Sequence, residues 1–292
     1  MEALKLREGK YFSKNYFVED SIGGFDGKLL HIESWIPDSK PRAVVLLVHS
    51  LGDHIDRYKH LAHYFNAENI AVMGIDLHGH GKSKGRRGIA KFQHLVFDVK
   101  RLTEYAHLRY PNLPKIIYGH GLGANLGLTY AIQHTPCITG IISSSPWIRT
   151  VNNPSQFFIA SLRKIKRFFP SYTIKNRLTA KDLTHDHECV KKYNIDPLVH
   201  DKISVRLYFG IQESGEFLLQ NKHKVNVPLL LMHGSNDKIT SWHATSDFAK
   251  YTSANTTFKI WKGAYHELHN EVEKEDIFEY ILNWINNLPG IN

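Results

Sequence analysis

A chain of 292 residues with 42% hydrophobic and 12% aromatic side chains is long enough to bury the core of one α/β domain that carries an insertion. Its 37 basic and 28 acidic residues give a formal net charge of +9, which favours anionic surfaces such as lipid head groups, and no nucleic-acid-binding motif accompanies the scattered basic residues. We therefore expect no nucleic-acid partner. The two cysteines imply no disulfide framework. No stretch of the sequence approaches the ~18 consecutive apolar residues of a membrane-spanning helix.

Seven short apolar runs, rich in β-branched residues, alternate along the chain with segments of helical period. This pattern predicts an α/β fold in which a mostly parallel sheet is covered by helices on both faces. The predicted strands are residues 29–35, 43–49, 70–77, 115–119, 138–143, 227–233 and 257–261. The predicted helices are residues 58–69, 92–108, 124–134, 242–251 and 274–287. Ahead of them, residues 1–8 lack the apolar run of a signal peptide, which with the few cysteines predicts a cytoplasmic protein.

The segment at residues 147–194 interrupts this alternation. It is basic, aromatic and helical in period, and we expect no strand within it. We interpret it as a helical cap inserted after the sixth strand, between core segments 1–146 and 195–292. Residues 157–169 combine an apolar stripe with four cations, and Pro170 ends the run. This stretch is either a cap helix packed on the main domain or a lid that makes peripheral contact with membranes.

The most informative residue is Gly121, at the centre of a Gly-His-Gly-Leu-Gly run at residues 119–123. A predicted strand leads into the run and a predicted helix leads out, which is the setting of a G-x-S-x-G nucleophile elbow with the serine replaced. Glycine adopts the strained backbone of such a turn without penalty, so we expect the fold to persist while turnover falls close to the assay floor. The chain is either a hydrolase that lost its nucleophile, by engineering or naturally, or a binding protein on a hydrolase scaffold.

The acid and the base of a hydrolase site follow in the expected chain order. Asp237 comes after the predicted strand at 227–233 and a Gly-Ser-Asn turn, so its carboxylate should emerge at the carboxyl end of the sheet. His266 lies between the last predicted strand and the final helix. We expect it to act as general base, oriented by Asp237, and we rank His269 well below it.

The turn after the predicted strand at 43–49 should supply part of an oxyanion hole. Its donors would be the backbone N–H groups of Leu51 and Leu122. Ser50 replaces the first glycine of the expected HG-x-G turn, so its side chain either crowds the pocket or adds a donor. We disfavour Ser50 as a relocated nucleophile, because its position relative to His266 would have to be rebuilt. The side chains predicted to contact substrate are those of His49, Ser50 and His120.

No cofactor or metal ion is expected. His78 and His80 resemble a metal-binding pair, but no cysteine or carboxylate cluster near them has the spacing of a metal site. We therefore interpret both as loop histidines. The sequence does not indicate an oligomeric state.

Together these segments resemble the monoacylglycerol lipase family. The matching residues are 49–54, 57–58, 76–83, 110–114, 119–123, 194–198, 209–212 and 263–269. The resemblance implies an α/β-hydrolase fold and a serine hydrolase that splits long-chain acyl esters of glycerol, such as monoacylglycerol, or lysolipids without a cofactor. It also implies that Gly121 occupies the nucleophile position, with Asp237 as acid and His266 as base, under a lipid-facing lid at 147–194. The family usually has serine in place of Gly121 and glycine in place of Ser50.

Three functions remain open from the sequence. The first is an acyl-ester hydrolase scaffold whose working form has serine at Gly121. The second is a non-catalytic protein that binds or regulates acyl lipids in the same pocket, and the third is an esterase for short esters. Restoring the serine distinguishes them, because only a hydrolase scaffold would regain turnover.

Overall fold

The computed structural model describes residues 16–152, 154–176, 178–250, 252 and 255–291. Its strands are β1 Tyr16–Gly23, β2 Leu29–Ile36, β3 Ala43–Val48, β4 Ile70–Ile75, β5 Lys115–His120, β6 Gly140–Ser144, β7 Thr173–Lys175, β8 Lys202–Ser204, β9 Leu229–Gly234 and β10 Thr256–Trp261. Its α-helices are α1 Lys59–Ala67, α2 Phe92–Arg109, α3 Leu122–His134, α4 Gln156–Phe168, α5 His187–Ile195, α6 Val205–Asn221, α7 Trp242–Ala249 and α8 Lys274–Asn286.

One eight-stranded sheet organises the molecule, in the order β1-β2-β4-β3-β5-β6-β9-β10. The pairs β1–β2 and β2–β4 are antiparallel, and each pair from β4 to β10 is parallel. The central strands β3, β4 and β5 are buried along their whole length, as expected for strands covered by helices on both faces. The predicted α/β class with a mostly parallel sheet is confirmed.

The alternation of side chains along β3 separates the core into two layers. Val44, Leu46 and Val48 face the cluster that contains α2, α3 and α6. Val45 and Leu47 face the opposite cluster, which contains α1 and α8. Each of these side chains is fully buried, and such burial stabilises a fold by roughly 1.5–3 kcal/mol per side chain. The sheet is thereby fixed rigidly, with its carboxyl edge free to hold functional groups.

The connection from β6 to β9 differs from the sequence-based expectation. The prediction that residues 147–194 contain no strand is wrong, because β7 lies there and pairs antiparallel with β8, Thr173 opposite Ser204. Three residues are too few to produce a period-2 pattern, and the partner strand is distant in sequence. The same connection contains α4, α5 and the unpredicted helix α6, which packs on α2 and α3.

Two expectations concern parts of the chain that the structure does not describe. Residues 1–8, which carry the signal-peptide argument, and Tyr251, the end of a predicted helix, lie outside the described residues. Within the described ranges, no helix is both long and apolar enough to cross a bilayer.

Candidate active site

Gly121 forms the bend between β5 and α3, as the elbow motif predicts. Its φ of 53° and ψ of −112° place it in a region that side-chain-bearing residues rarely adopt. The flanking glycines are required by close packing: a Cβ at Gly119 would lie 2.5 Å from the carbonyl oxygen of Gly123, and a Cβ at Gly123 would overlap that of Val48. The strand, turn and helix of a nucleophile elbow are therefore all present, with no side chain at the bend.

Asp237 and His266 meet above this bend. His266 Nδ1 lies 2.7 Å from Asp237 Oδ2, and the two side chains are almost wholly buried. The other carboxylate oxygen accepts the backbone N–H groups of Ile239 and Thr240 at 2.7 and 3.0 Å. The Thr240 hydroxyl and His233 Nε2 also contact Oδ2, at 2.8 and 3.0 Å. The carboxylate is thus fixed by several partners and can orient the imidazole.

The electrostatics of this pair suit an ionised acid beside a basic imidazole. Burial alone would raise the pKa of Asp237, but the charge of His266 and hydrogen bonds from both histidines hold it well below its usual value. For His266 burial acts in the opposite direction and would lower the pKa, but the negative charge of Asp237 and the hydrogen bond to it raise the pKa above its usual value. His266 Nε2 has no hydrogen-bond partner among the described residues and lies 3.4 Å from the point where a Cβ at Gly121 would stand.

Ser50 fills the space in front of Gly121. The Leu122 N–H donates to Ser50 Oγ at 3.3 Å, and a Cβ at Gly121 would overlap that oxygen and lie 3.0 Å from Ser50 Cβ. The side chain therefore occupies the space that a side chain at residue 121 would need, and its hydroxyl oxygen accepts one of the two predicted oxyanion donors. The other predicted oxyanion donor, the N–H of Leu51, has no acceptor within the described part of the chain.

The remaining predicted histidines are buried close to the site. The Leu77 N–H donates to His49 Nε2 at 2.9 Å, and His49 Nδ1 lies 2.6 Å from the Ser50 carbonyl oxygen, so both ring nitrogens are engaged by the backbone. The His120 ring lies between those of His266 and His269, at centroid distances of 4.6 and 4.8 Å. Burial holds the pKa of His120 well below its usual value, which favours the neutral form of this ring. His266, not His269, contacts the acid.

A buried ion pair that the sequence analysis did not identify joins the two loops of the site. Arg57 donates to Asp53 at 2.7 Å and to both carboxylate oxygens of Glu267 at 2.9 and 2.7 Å. The Tyr58 hydroxyl donates to the other oxygen of Asp53 at 2.7 Å. Because Glu267 directly follows His266, Arg57 ties the oxyanion turn to the base. These residues fall in matching segments of the family, and that was the available signal.

Part of the β6–β9 connection lies over the site. The Glu267 N–H donates to the Leu183 carbonyl oxygen at 2.7 Å, and the His200 N–H donates to that of Gly52 at 2.9 Å. A Cβ at Gly52 would overlap the His200 carbonyl, so glycine is required there. These contacts cover the base and the oxyanion turn, and His266 is only 3% exposed.

Helix α4 shows both faces that the sequence suggested. Leu162 is buried against the main domain, whereas Phe157, Phe168 and Phe169 are 89%, 70% and 69% exposed. Its basic residues Arg163, Lys164 and Arg167 are exposed, whereas Lys166 pairs with Glu213 on α6 at 2.8 Å. An inward apolar contact and an outward aromatic and basic surface therefore coexist on one helix.

One group of side chains in the described part of the chain is compact enough to hold a metal ion. It consists of Glu19, His31 and Glu33 on β1 and β2. Lys82 Nζ already lies 2.9 Å from a carboxylate oxygen of Glu33 and also pairs with Glu19. The cluster contains none of the predicted site residues, and neither His78 nor His80 belongs to it.

Comparison with known proteins gives consistent likenesses across the chain. Residues 39–273 match the family described as "Serine aminopeptidase, S33". A monoacylglycerol lipase of Mycolicibacterium smegmatis is 28% identical over 270 residues, which cover 91% of this chain and 96% of that protein. An uncharacterized abhydrolase domain-containing protein of Dictyostelium discoideum is 34% identical over 266 residues; the match covers 89% of this chain and 28% of that longer relative. The crystal structure of the Paleococcus ferrophilus monoacylglycerol lipase has a TM-score of 0.80 and 28% identity, covering 88% of this chain and 98% of that one.

Proposed function

The chain belongs to the family described as "Serine aminopeptidase, S33" and has a monoacylglycerol-lipase-like α/β-hydrolase fold, and on that premise we propose a function in acyl-lipid chemistry. The protein is a serine-hydrolase scaffold for long-chain acyl esters of glycerol or lysolipids. The observation that carries this proposal is the alignment of Asp237, His266 and the bend at Gly121. His266 Nε2 lies 3.4 Å from the point where a Cβ at residue 121 would stand, and His266 Nδ1 lies 2.7 Å from Asp237 Oδ2.

The roles follow from that geometry once the elbow carries a hydroxyl. A serine at position 121 would give its proton to His266 Nε2 while its oxygen attacks the ester carbonyl carbon. The N–H groups of Leu51 and Leu122 would hold the oxyanion, and the imidazolium would then protonate the departing glycerol oxygen. Water would release the fatty acid by the same route. With Gly121 this route is closed, so turnover through the elbow should be near the assay floor.

Contact with a membrane surface is part of the proposal. The exposed aromatic rings of α4, its basic residues and the net charge of +9 suit an anionic lipid surface. Residues 147–194 would then act as the lid through which an acyl chain enters. Monoacylglycerol is the substrate we favour, because the relatives that match most of this chain include a monoacylglycerol lipase.

A second function is favoured by the missing hydroxyl itself. With Gly121 at the bend and Ser50 in front of it, the pocket would bind an acyl lipid without the elbow serine to cleave it. The protein would then be an acyl-lipid-binding or regulatory protein on a hydrolase fold.

The test is to rebuild the elbow in the full chain. Because a Cβ at residue 121 would overlap the Ser50 hydroxyl, the informative variant combines Gly121→Ser with Ser50→Gly. Its matched control combines Gly121→Ala with Ser50→Gly, which adds the Cβ but no hydroxyl. A hydrolase scaffold predicts monoacylglycerol hydrolysis in the serine variant and none in the alanine variant. If both are inert while a fluorescent acyl lipid still binds, the binding-protein function is correct instead.

A further inference from the structure

Ser50 and Gly121 form a reciprocal pair across the site. They follow β3 and β5, which pair in parallel with Val48 opposite Gly119, so each lies two residues beyond that pairing. The Ser50 side chain turns toward the bend and overlaps the point where a Cβ at residue 121 would stand. A hydroxyl is therefore retained at the bend, supplied by the neighbouring strand end.

This hydroxyl and the free nitrogen of the base approach the same point. Ser50 Oγ overlaps the point where a Cβ at residue 121 would stand, and His266 Nε2 lies 3.4 Å from that point, but no hydrogen bond joins the two atoms in the described structure. The sequence-based objection to Ser50 was that its position relative to His266 would have to be rebuilt; because both atoms already lie near one point, only the approach of Oγ to Nε2 remains to be made. Ser50 is half-buried, so part of the residue is exposed to solvent.

We propose that Ser50 Oγ is the nucleophile for the residual acyl transfer of this site. The proposal rests on the proposed hydrolase function and deepens it. Ser50 Oγ gives its proton to His266 Nε2 and forms a bond to the ester carbonyl carbon, whose π electrons move to the oxygen. When the tetrahedral adduct collapses, the ester C–O bond breaks and the glycerol oxygen takes the proton from His266. Water then attacks the Ser50 ester, gives a proton to His266, and releases the fatty acid as Oγ is reprotonated.

The oxyanion hole explains why this reaction should be slow. In the resting site the Leu122 N–H already donates to Ser50 Oγ, so the attacking oxygen occupies one of the two donors intended for the oxyanion. Loss of one oxyanion donor lowers kcat by roughly 10²–10³-fold in serine hydrolases. Ser50 should therefore be acylated in a slow single turnover even where steady-state hydrolysis is close to the assay floor.

The experiment is a time course of fluorophosphonate labelling of the full-length protein, followed by intact mass and peptide mapping. We expect one adduct per chain, on Ser50. Ser50→Ala should abolish it, and His266→Gln should slow it about 100-fold or more, since general-base assistance contributes roughly 10²–10⁴-fold. Ser246→Ala, on α7 and not among the predicted site residues, is the matched serine control and should label as the unaltered chain does. Thermal denaturation of each variant establishes that it is folded.

The outcomes separate the two levels of the argument. Absence of a Ser50 adduct, while the Gly121→Ser, Ser50→Gly variant labels promptly at residue 121, would overturn the Ser50 proposal and leave the hydrolase function standing. A Ser50 adduct whose rate is unchanged by His266→Gln would also overturn it, because the hydroxyl would then react without the base. If the rebuilt variant neither labels nor hydrolyses monoacylglycerol, the hydrolase function itself fails.

Discussion

The contact between positions 50 and 121 makes the two residues interdependent, which can be measured as a coupling free energy. A Gly121→Ser variant meets two costs. The backbone φ of 53° is unfavourable for any residue with a Cβ, and such strain costs about 1–3 kcal/mol. The new Cβ also overlaps the Ser50 hydroxyl and lies 3.0 Å from Ser50 Cβ, so the local structure is overpacked at a further cost of about 1–3 kcal/mol.

Adding Ser50→Gly should remove the second cost but not the first. The strain at φ 53° remains, whereas the overlap disappears, so the double variant should be more stable than the sum of the single effects. We expect a coupling free energy of about 1–3 kcal/mol, within the range found for residues in contact. Urea denaturation of the unaltered chain, both single variants and the double variant gives this value directly. Hydrolysis of monoacylglycerol should also be roughly 10²–10³-fold faster in the double variant than in Gly121→Ser alone, because the Ser50 hydroxyl no longer occupies the Leu122 N–H.

Additive free energies, with a coupling below about 0.5 kcal/mol, would show that the two side chains do not compete for one space. Equal hydrolysis by the single and double serine variants would show that Ser50 moves aside without consequence. Additive free energies would refute the reasoning whichever function the protein has, and equal, measurable hydrolysis would refute it for a hydrolase scaffold.

Three further predictions concern the ion pair that supports the site, the effect of pH on the stability of the protein, and the exposed surface of α4. Arg57→Ala should lower the free energy of unfolding by about 3–5 kcal/mol, because it leaves the carboxylates of Asp53 and Glu267 buried without their cation. Arg57→Lys should recover only part of this loss, since lysine cannot form the bidentate pair. Urea denaturation measures the effect of both substitutions. Burial raises the pKa of Asp98 to about 8, so its stabilising contribution, complete below its unfolded pKa of ~4, is lost as the pH rises toward 8. Asp98→Asn should therefore have the same free energy of unfolding as the parent near pH 4 and a higher one at pH 9, by on the order of a few kcal/mol. Urea denaturation at the two pH values measures both, and equal free energies at pH 9 would contradict this prediction. Phe157→Ser should weaken binding to phosphatidylglycerol vesicles, measured by co-sedimentation, about tenfold or more, since withdrawing one aromatic side chain from the membrane interface costs roughly 1.5–3 kcal/mol. The melting temperature should not change. Unchanged co-sedimentation would argue against docking through α4.

The central fold was predictable because its strands are fully buried. Apolar runs such as those of β3 and β4 have few alternatives once helices cover both faces of a sheet. Helix α6 was missed for a physical reason. Its interior contains Gly210 and Gly215, which weaken a helical pattern, yet a Cβ at Gly215 would overlap the Ile148 carbonyl and one at Gly210 would lie 2.7 Å from Phe92 Cβ. The same glycines that hide the helix in the sequence allow it to pack closely.

Some residues of the site are indicated by the sequence beside them, whereas others are brought together only by the fold. The elbow, Asp237 and His266 are each announced by the strand and turn beside them, and their order along the chain suggests that they belong together. The Arg57 network has no such local signal, because its partner Glu267 is 210 residues away. Only the fold shows that this cation joins the oxyanion turn to the loop of the base.

The relation between residues 50 and 121 depends on strand register, which the sequence does not specify. Read separately, Ser50 and Gly121 are two departures from a family pattern, and each by itself argues against catalysis. The pairing of β3 with β5 makes them neighbours, and the overlap of Ser50 Oγ with the Cβ point of residue 121 makes them alternatives for one space. The buried Asp237–His266 pair has its free nitrogen near that space, and we propose that it accepts a proton from whichever residue supplies the hydroxyl. We therefore expect the chemistry of the site to depend on the residues at both positions together, and on neither position alone.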